Sequence, residues 1–368
     1  LAVTGVQTCA LPIFRRLYVM GCLSERYMDE LRSEIPEVDK YFGVRNIKDI
    51  LLETGISQYD FSLNGRILTN PSHYAFLKVS EGCDRICSFC AIPSIRGKYI
   101  SRPLEEIVDE AAMLAESGVR EIILIAQDLS YYGLELYKRK RLPDLLNRLL
   151  KIDSFEWIRL HYLYPGGFQD ELIDVIKDNP KICKYVDIPI QHISDKMLRL
   201  MKRSYGRGEA EEILYRLRDR LPGSAIRTTL ISGHPGETDE DHFQLREFIK
   251  EFRFDRLGVF SYSHEEGTYS GVHYDDGVPQ LVKESRMSEL MEIQQSISAG
   301  KNELLVGREL KVLIDRKEEH FYAGRTEYDA PEIDQEVLIP VQYELKAGNF
   351  YNIRIIRSSE FDLYGMPV

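Results

Sequence analysis

Cys83, Cys87 and Cys90 lie in the run Ser80-Glu81-Gly82-Cys83-Asp84-Arg85-Ile86-Cys87-Ser88-Phe89-Cys90, separated by three and then two residues. Three thiolates on so short a loop can hold three corners of an iron–sulfur cube and leave the fourth iron without a protein ligand. An open iron can bind a substrate. A structural zinc site normally closes with a fourth Cys or His, and the nearest candidate, His73, is separated from the loop by a segment that reads as a strand. All-thiolate ligation favours a soft centre such as an iron–sulfur cluster. Zinc, or three thiols that are merely buried, are the competing accounts of this loop.

The residues after the loop and at the ends of apolar runs supply more polar chemistry. Arg96, Lys98 and Arg102 could neutralise a cluster, a carboxylate or an acidic substrate group, or form a solvated basic stretch. Gly233-His234-Pro235-Gly236-Glu237 places two glycines around a proline after an apolar run, which lets backbone approach a flat ligand closely. An ordinary strand-to-helix turn, with Thr238 as helix cap, fits the same residues. His192 and His264, taken singly, read as satisfied or surface histidines.

The elements that must carry these residues are regular from residue 74. Strands are expected at Tyr74–Val79, Glu121–Ala126, Trp157–Leu163, Tyr185–Ile190, Ala225–Ile231 and Arg256–Phe260, rich in the Ile, Leu, Val and Tyr of buried parallel strands. Amphipathic segments alternate with them at Leu104–Glu116, Leu142–Ile152, Gln169–Asn179, Glu209–Leu221 and Glu240–Phe252. Six βα units imply an α/β fold, a parallel sheet curled into a partial (β/α)6 barrel. Ligands of such barrels sit at the carboxyl ends of the strands. That rim collects the cysteine loop, Gln127-Asp128, Tyr164-Pro165, Gln191-His192, the Gly233–Glu237 segment and Tyr262-Ser263-His264-Glu265-Glu266.

Composition bounds the setting. The 368 residues are 43% hydrophobic and 29% charged, enough for a large core in two or three domains. No apolar run reaches membrane-spanning length and no secretory signal is visible, so no membrane partner is expected. Six cysteines, three of them clustered at ligand spacing, suit a reducing, cytoplasmic compartment rather than a disulfide framework. Cys183, at a strand entrance, reads as small core packing.

Cys-x-x-x-Cys-x-aromatic-Cys, with Phe89 before the last cysteine, resembles the signature of the radical S-adenosylmethionine (SAM) superfamily. The resemblance implies a [4Fe-4S] cluster on Cys83, Cys87 and Cys90 with SAM chelated at the open iron, and reductive cleavage of SAM to a 5′-deoxyadenosyl radical. It also implies that Gly233 and Glu237 contact the adenosyl part of SAM and that Gln127 lies near its methionine moiety. Phe89 and Gln191 join these as cofactor-binding candidates. No histidine or carboxylate is assigned as a general base, because the cofactor radical abstracts the hydrogen atom and the protein orients.

Arg96-Gly97-Lys98, Ser101-Arg102-Pro103, the Gly21-Cys22 turn and a β-rich tail together resemble the methylthiotransferases within that superfamily. Ile125-Ala126-Gln127-Asp128, Tyr132–Tyr137, Lys181–Tyr185, Leu257–Thr268 and Asp329–Asp334 resemble the type that modifies an aspartate β-carbon on a small-subunit ribosomal protein. A basic ribosomal protein as substrate, a reductant protein and a sulfur donor are the partners this implies. Family members carry a second [4Fe-4S] cluster on three N-terminal cysteines, of which Cys22 is matched here. Val3–Ile13 looks like a translated sequencing-library adapter, so Cys9 is discounted and the second cluster is expected to be incomplete.

Four segments are expected: 1–13 adapter-derived, 14–68 a remnant of the N-terminal methylthiotransferase domain, 69–300 the radical SAM barrel, and 301–368 a small β-barrel. In the first part, Arg16–Met20 reads as a strand and Ser24 as the cap of a helix through Ile35. In the last, strands at Leu310–Ile314, Phe321–Arg325, Glu336–Pro340 and Phe350–Ile356 resemble the TRAM domain. Such a barrel often implies RNA binding. The tail is rich in Glu and Asp within a chain of net charge −11, which would repel phosphates and attract a basic protein, so RNA binding is the weaker expectation. Methylthiolation of a tRNA adenosine, and a non-catalytic Fe–S or zinc protein that binds a partner, are the alternatives.

Overall fold

Burial alternates along the first strand of the central sheet, whereas the middle strands are buried on both faces. In the computed structural model, which describes residues 16–56, 68 and 71–368, Ala75 and Leu77 are wholly buried against the helical layer while Phe76 and Lys78 point to the other side. The strands are β1 (Tyr18–Met20), β2 (Lys40–Phe42), β3 (Tyr74–Lys78), β4 (Ser80–Glu81) and β5 (Ile100–Ser101). Then follow β6 (Glu121–Ile125), β7 (Trp157–Leu160), β8 (Tyr185–Asp187), β9 (Ala225–Ser232) and β10 (Arg256–Ser261).

The six expected barrel strands are present and parallel, in two halves ordered β3-β6-β7 and β8-β9-β10. The seam between β7 and β8 departs from a continuous ladder. There the Asp187 carboxylate accepts from the Tyr162 N–H at 3.0 Å, a place a backbone carbonyl would otherwise fill, and Tyr162 sits at φ +63°. Backbone bonds from Cys183 to Ile158 and from Leu163 to Asp187 still tie the halves together. Helices Leu104–Glu116, Leu142–Leu149, Asp170–Asp178, Arg207–Arg220 and Asp239–Phe252 cover the outside. Their apolar stripes, such as Leu104, Ile107, Ala111 and Leu114, join one core, each buried Leu or Ile contributing about 1.5–3 kcal/mol.

The C-terminal barrel is closed, in the order β11-β12-β13-β15-β14, from β11 (Glu309–Lys317), β12 (Phe321–Arg325), β13 (Val337–Pro340), β14 (Phe350–Ser358) and β15 (Leu363–Pro367). The last strand was not expected. Its Gly365 and Pro367 weaken the strand pattern, yet Leu363 completes the small core beside Val337 and Ile353. The 24-residue helix Gln280–Glu303 links the barrels.

The two barrels also meet through charge. Glu121, at the entrance of β6, receives Arg159 at 2.8 Å and Arg325 of β12 at 2.7 Å. Arg325 also binds Asp315, which pairs with His73 at 2.9 Å. Tyr185 donates to Asp334 at 2.7 Å, and Arg256 pairs with Asp329 at 2.5 Å. The β11–β15 barrel therefore caps the amino ends of the strands, opposite the cysteine loop.

The N-terminal segment corrects one expectation. The helix does not run from a Ser24 cap to Ile35; it begins at Cys22 and breaks at Tyr27, giving Cys22–Arg26 and Met28–Glu34. Ser24 lies inside the first helix because its hydroxyl is engaged elsewhere, donating to the Phe42 carbonyl at 2.6 Å. Residues 1–15, including Cys9 and the adapter-like stretch, lie outside the described residues.

Candidate functional site

The cysteine loop leaves β4 through Gly82, whose φ of +76° and close approach to the Lys98 carbonyl admit no side chain. The Cys83 N–H donates to Gly97 O at 3.0 Å, and the Ser88 N–H to Met201 O at 3.0 Å. Ser88, between the second and third cysteines, is the anchor of the loop. Its carbonyl accepts from Ser270 N at 2.6 Å, and its hydroxyl meets His234 Nε2 at 3.2 Å. His234 Nδ1 faces the Pro235 carbonyl at 3.0 Å, which fixes the proton on Nδ1 and leaves Nε2 to accept from Ser88. Burial lowers the His234 pKa to about 4, so the ring is neutral.

Arg203, from outside the loop, and Arg85, within it, fix its other side. Arg203 donates to Cys87 Sγ at 3.2 Å, to Pro189 O at 2.8 Å and to Tyr205 Oη at 2.9 Å. Arg85 pairs with the buried Asp128 at 2.9 Å. Both guanidinium groups lie against the Tyr164 ring, at 3.7 Å for Arg85 and 4.4 Å for Arg203, a stacking arrangement that favours arginine over lysine. Burial pushes the Cys83 thiol up to about 11 and raises Cys90 as well. A metal must displace those protons.

The three cysteines open onto a cavity of ≈ 410 Å³ at the carboxyl ends of the strands. Phe89, Gln127 and Gln191 line it, together with Tyr162, Tyr164 and Thr229. Gln191 takes φ +69°, a left-handed conformation that costs energy for a side chain other than glycine. Among the described residues, Gln127 Oε1 and Gln191 Oε1 are buried acceptors with no partner. Two such orphans on one cavity wall call for a ligand that donates hydrogen bonds.

The donor set fits an iron–sulfur cluster with SAM. Three soft thiols face a cavity, and among the described residues no group of three His, Cys, Asp or Glu converges as a single bound ion would require. The two glutamine oxygens can accept from the amine or hydroxyl groups of a nucleoside-bearing amino acid.

The remaining candidates lie outside this cavity. Glu237 accepts from Gly233 N at 2.7 Å and pairs with Arg286 at 2.9 Å, so its carboxylate is turned into the wall. Burial raises it to about 7. Gly233 takes φ +77° with Lys283 packed where a Cβ would stand. Cys22 accepts from Arg96 Nη2 at 3.0 Å, and Arg96 also pairs with Glu81 at 3.2 Å, so one arginine links the N-terminal helix to the base of the cysteine loop. Arg102 is engaged with Glu110. Buried His192 accepts two backbone N–H groups at Nδ1, while His264 is exposed. Cys183 is core, as expected. Tyr164, expected on the rim, does line the cavity. Arg203 and the Ser88–His234 pin were missed; Ser88 lies inside the cysteine run and His234 inside the glycine segment, but only the tertiary fold shows that they meet.

A uS12 methylthiotransferase RimO of Porphyromonas gingivalis is 52% identical over 354 residues, covering 96% of this chain and 82% of its own. The chain belongs to the RimO family of methylthiotransferases. A Bacteroides fragilis member is 51% identical over 351 residues, 95% of this chain and 81% of that one. The Radical SAM superfamily matches residues 77–249 and the TRAM domain residues 306–368. Among solved structures, the Escherichia coli coproporphyrinogen III oxidase HemN, a radical SAM enzyme, aligns at 16% identity over 68% of this chain and 62% of its own, with a TM-score of 0.48. RimO-family membership makes the chain a radical SAM enzyme, with a [4Fe-4S] cluster and SAM as its cofactors.

Proposed function

We propose that this enzyme adds a methylthio group to the β-carbon of an aspartate in ribosomal protein uS12. The observation that carries the reading is the cavity in which three cysteines face two unpartnered glutamine oxygens, in a chain half identical to uS12 methylthiotransferases over nearly its full length.

Cys83, Cys87 and Cys90 would hold the cluster. When bound, cluster and SAM supply a 5′-deoxyadenosyl radical that abstracts a hydrogen atom. The chain's own work is placement. The Ser88–His234 pin and Arg203 fix the loop, Gln127 and Gln191 accept hydrogen bonds from SAM, and Phe89 packs edge-on toward His234 at 6.4 Å between ring centres. Gly233 and Glu237 would act on the adenosyl group only by shaping the wall behind the cavity. Cys22 would be one ligand of a second cluster, with Arg96 balancing its charge. A reductant protein and a sulfur donor complete the reaction.

The division 14–68, 69–300 and 301–368 assigns the Arg96–Cys22 contact and the Glu121–Arg325 contact to domain boundaries. No helix among the described residues is long and apolar enough to cross a membrane, and the ribosomal substrate argues for the cytoplasm. The acidic tail supports a basic protein partner over RNA. Anaerobically reconstituted enzyme, given SAM and a reductant, should form 5′-deoxyadenosine. With sulfide and separate pools of uS12 and tRNA, the mass of a methylthio group should appear on uS12. Its appearance on tRNA alone would refute the acceptor assignment.

A further inference from the structure

A second cavity, of ≈ 370 Å³, lies beside the cofactor cavity and shares Ala126, Gln127 and Tyr162 with it. Phe76, Ile125 and Ile333 give it apolar walls, Ile333 coming from the loop between β12 and β13. Besides the shared Gln127 and Tyr162, two polar side chains line it, His161 and Lys78. His161 is 3% exposed, and its Nε2 has no hydrogen-bond partner among the described residues. Lys78 stands at the edge strand β3, with its ammonium near Glu81.

Neither group is needed where it is. Glu81 has a second cation in Arg96 at 3.2 Å, so Lys78 can turn to a ligand without leaving a carboxylate unpaired. Burial, reinforced by the Arg159 and Arg227 charges, keeps His161 neutral, at about 3. A neutral ring carrying its proton on Nε2 donates a hydrogen bond but brings no charge. A cation and a neutral donor across an apolar cleft suit one carboxylate.

We propose that this cavity receives the side-chain carboxylate of the acceptor aspartate, with Lys78 and His161 as the residues that recognise it. The inference rests on the reading that the acceptor is a protein aspartate. In aspartate the β-carbon is bonded directly to the carboxyl carbon. Anchoring the carboxylate between Lys78 and His161 therefore leaves the β-carbon as the next atom back toward the Gln127–Tyr162 wall and the cofactor cavity.

The test uses fluorescence anisotropy on the anaerobically reconstituted enzyme. The probes are a labelled uS12 loop peptide containing the acceptor aspartate and its twin with asparagine there. The wild type should bind the aspartate peptide at least about tenfold more tightly, as for a charge-assisted contact. Lys78→Met and His161→Phe should each bring that ratio toward one while leaving the asparagine peptide within about twofold of its wild-type affinity. Lys78→Arg should keep most of the preference. Lys78 is 41% exposed, so Lys78→Met decides the matter should His161→Phe fail to fold. A preference that survives Lys78→Met, or a wild type without preference, overturns the carboxylate site while leaving uS12 as acceptor. If neither peptide binds the wild type and a tRNA anticodon stem-loop does, the acceptor reading fails and takes this site with it.

Discussion

The two ends of the central barrel are both lined by buried polar groups, with the buried charges paired at one end and several buried acceptors left open at the other. At the amino ends of the strands, Glu121 is buried with two arginine partners, Arg325 has Asp315 as well, and Asp315 has His73. Burial alone would push the Glu121 carboxyl up, but Arg325 and Arg159 hold it below its ordinary value. At the carboxyl ends, Gln127, Gln191 and His161 carry buried polar atoms without partners among the described residues, and Tyr162 and Gln191 hold left-handed backbone. Polar groups that satisfy one another hold two barrels together. Unsatisfied polar groups that line a cavity, as Gln127, Gln191 and His161 do, offer a place for ligands to bind.

That contrast can be broken most severely at the cysteines. Replacing Cys83, Cys87 or Cys90 with Ala should abolish 5′-deoxyadenosine formation and lower bound iron, while circular dichroism stays unchanged, because these residues contribute little to the core. At the opposite end, Glu121→Ala leaves Arg159 and Arg325 buried with an unpaired charge between them. It should cost about 3–5 kcal/mol in urea unfolding. The wild-type contribution of Glu121 is present above its ordinary value of 4.5 and fades as pH falls through the lower folded value. Stability curves of wild type and Glu121→Ala should therefore converge in acid.

Gln127→Leu sharpens the comparison by separating stability from binding. It removes an orphaned acceptor, so the fold should be unchanged or slightly more stable, while SAM affinity measured by equilibrium dialysis should fall about tenfold. A loss of stability equal to that at Glu121 would erase the difference between the two ends. The smallest effect is expected at the half-exposed Arg316–Glu336 pair of the small barrel. Arg316→Ala should change stability by no more than about 1 kcal/mol, and less at high salt.

Much of this was legible in the sequence because it depends on local pattern. The three cysteines declare themselves by spacing, and β3 and β6 to β10 by apolar runs bounded by turns, whereas the two-residue strands β4 and β5 were not expected. Gln127 and Gln191 follow from the rule that barrel ligands sit at strand carboxyl ends, and both line the cavity. What was not legible is long-range. Ser88 and His234 are 146 residues apart, and nothing in either neighbourhood signals the other. Glu237 fits the same rim pattern as the glutamines, but its carboxylate has Arg286 as partner, a residue of the long helix whose packing no periodicity reveals. Ser24 followed a capping preference that its contact with Phe42 overrode. β15 escaped because closure of the small barrel, rather than β-propensity, recruits Leu363–Pro367.

The central claim is that a cluster held by Cys83, Cys87 and Cys90 presents an open iron to SAM beside Gln127 and Gln191. Electron paramagnetic resonance of the reconstituted, reduced enzyme, recorded before and after addition of SAM, tests it most directly. The account predicts a [4Fe-4S] signal whose g-values shift on SAM addition, and whose shift requires more SAM in Gln127→Leu. Protein that binds zinc at these cysteines, or a cluster whose signal SAM leaves untouched, would contradict it.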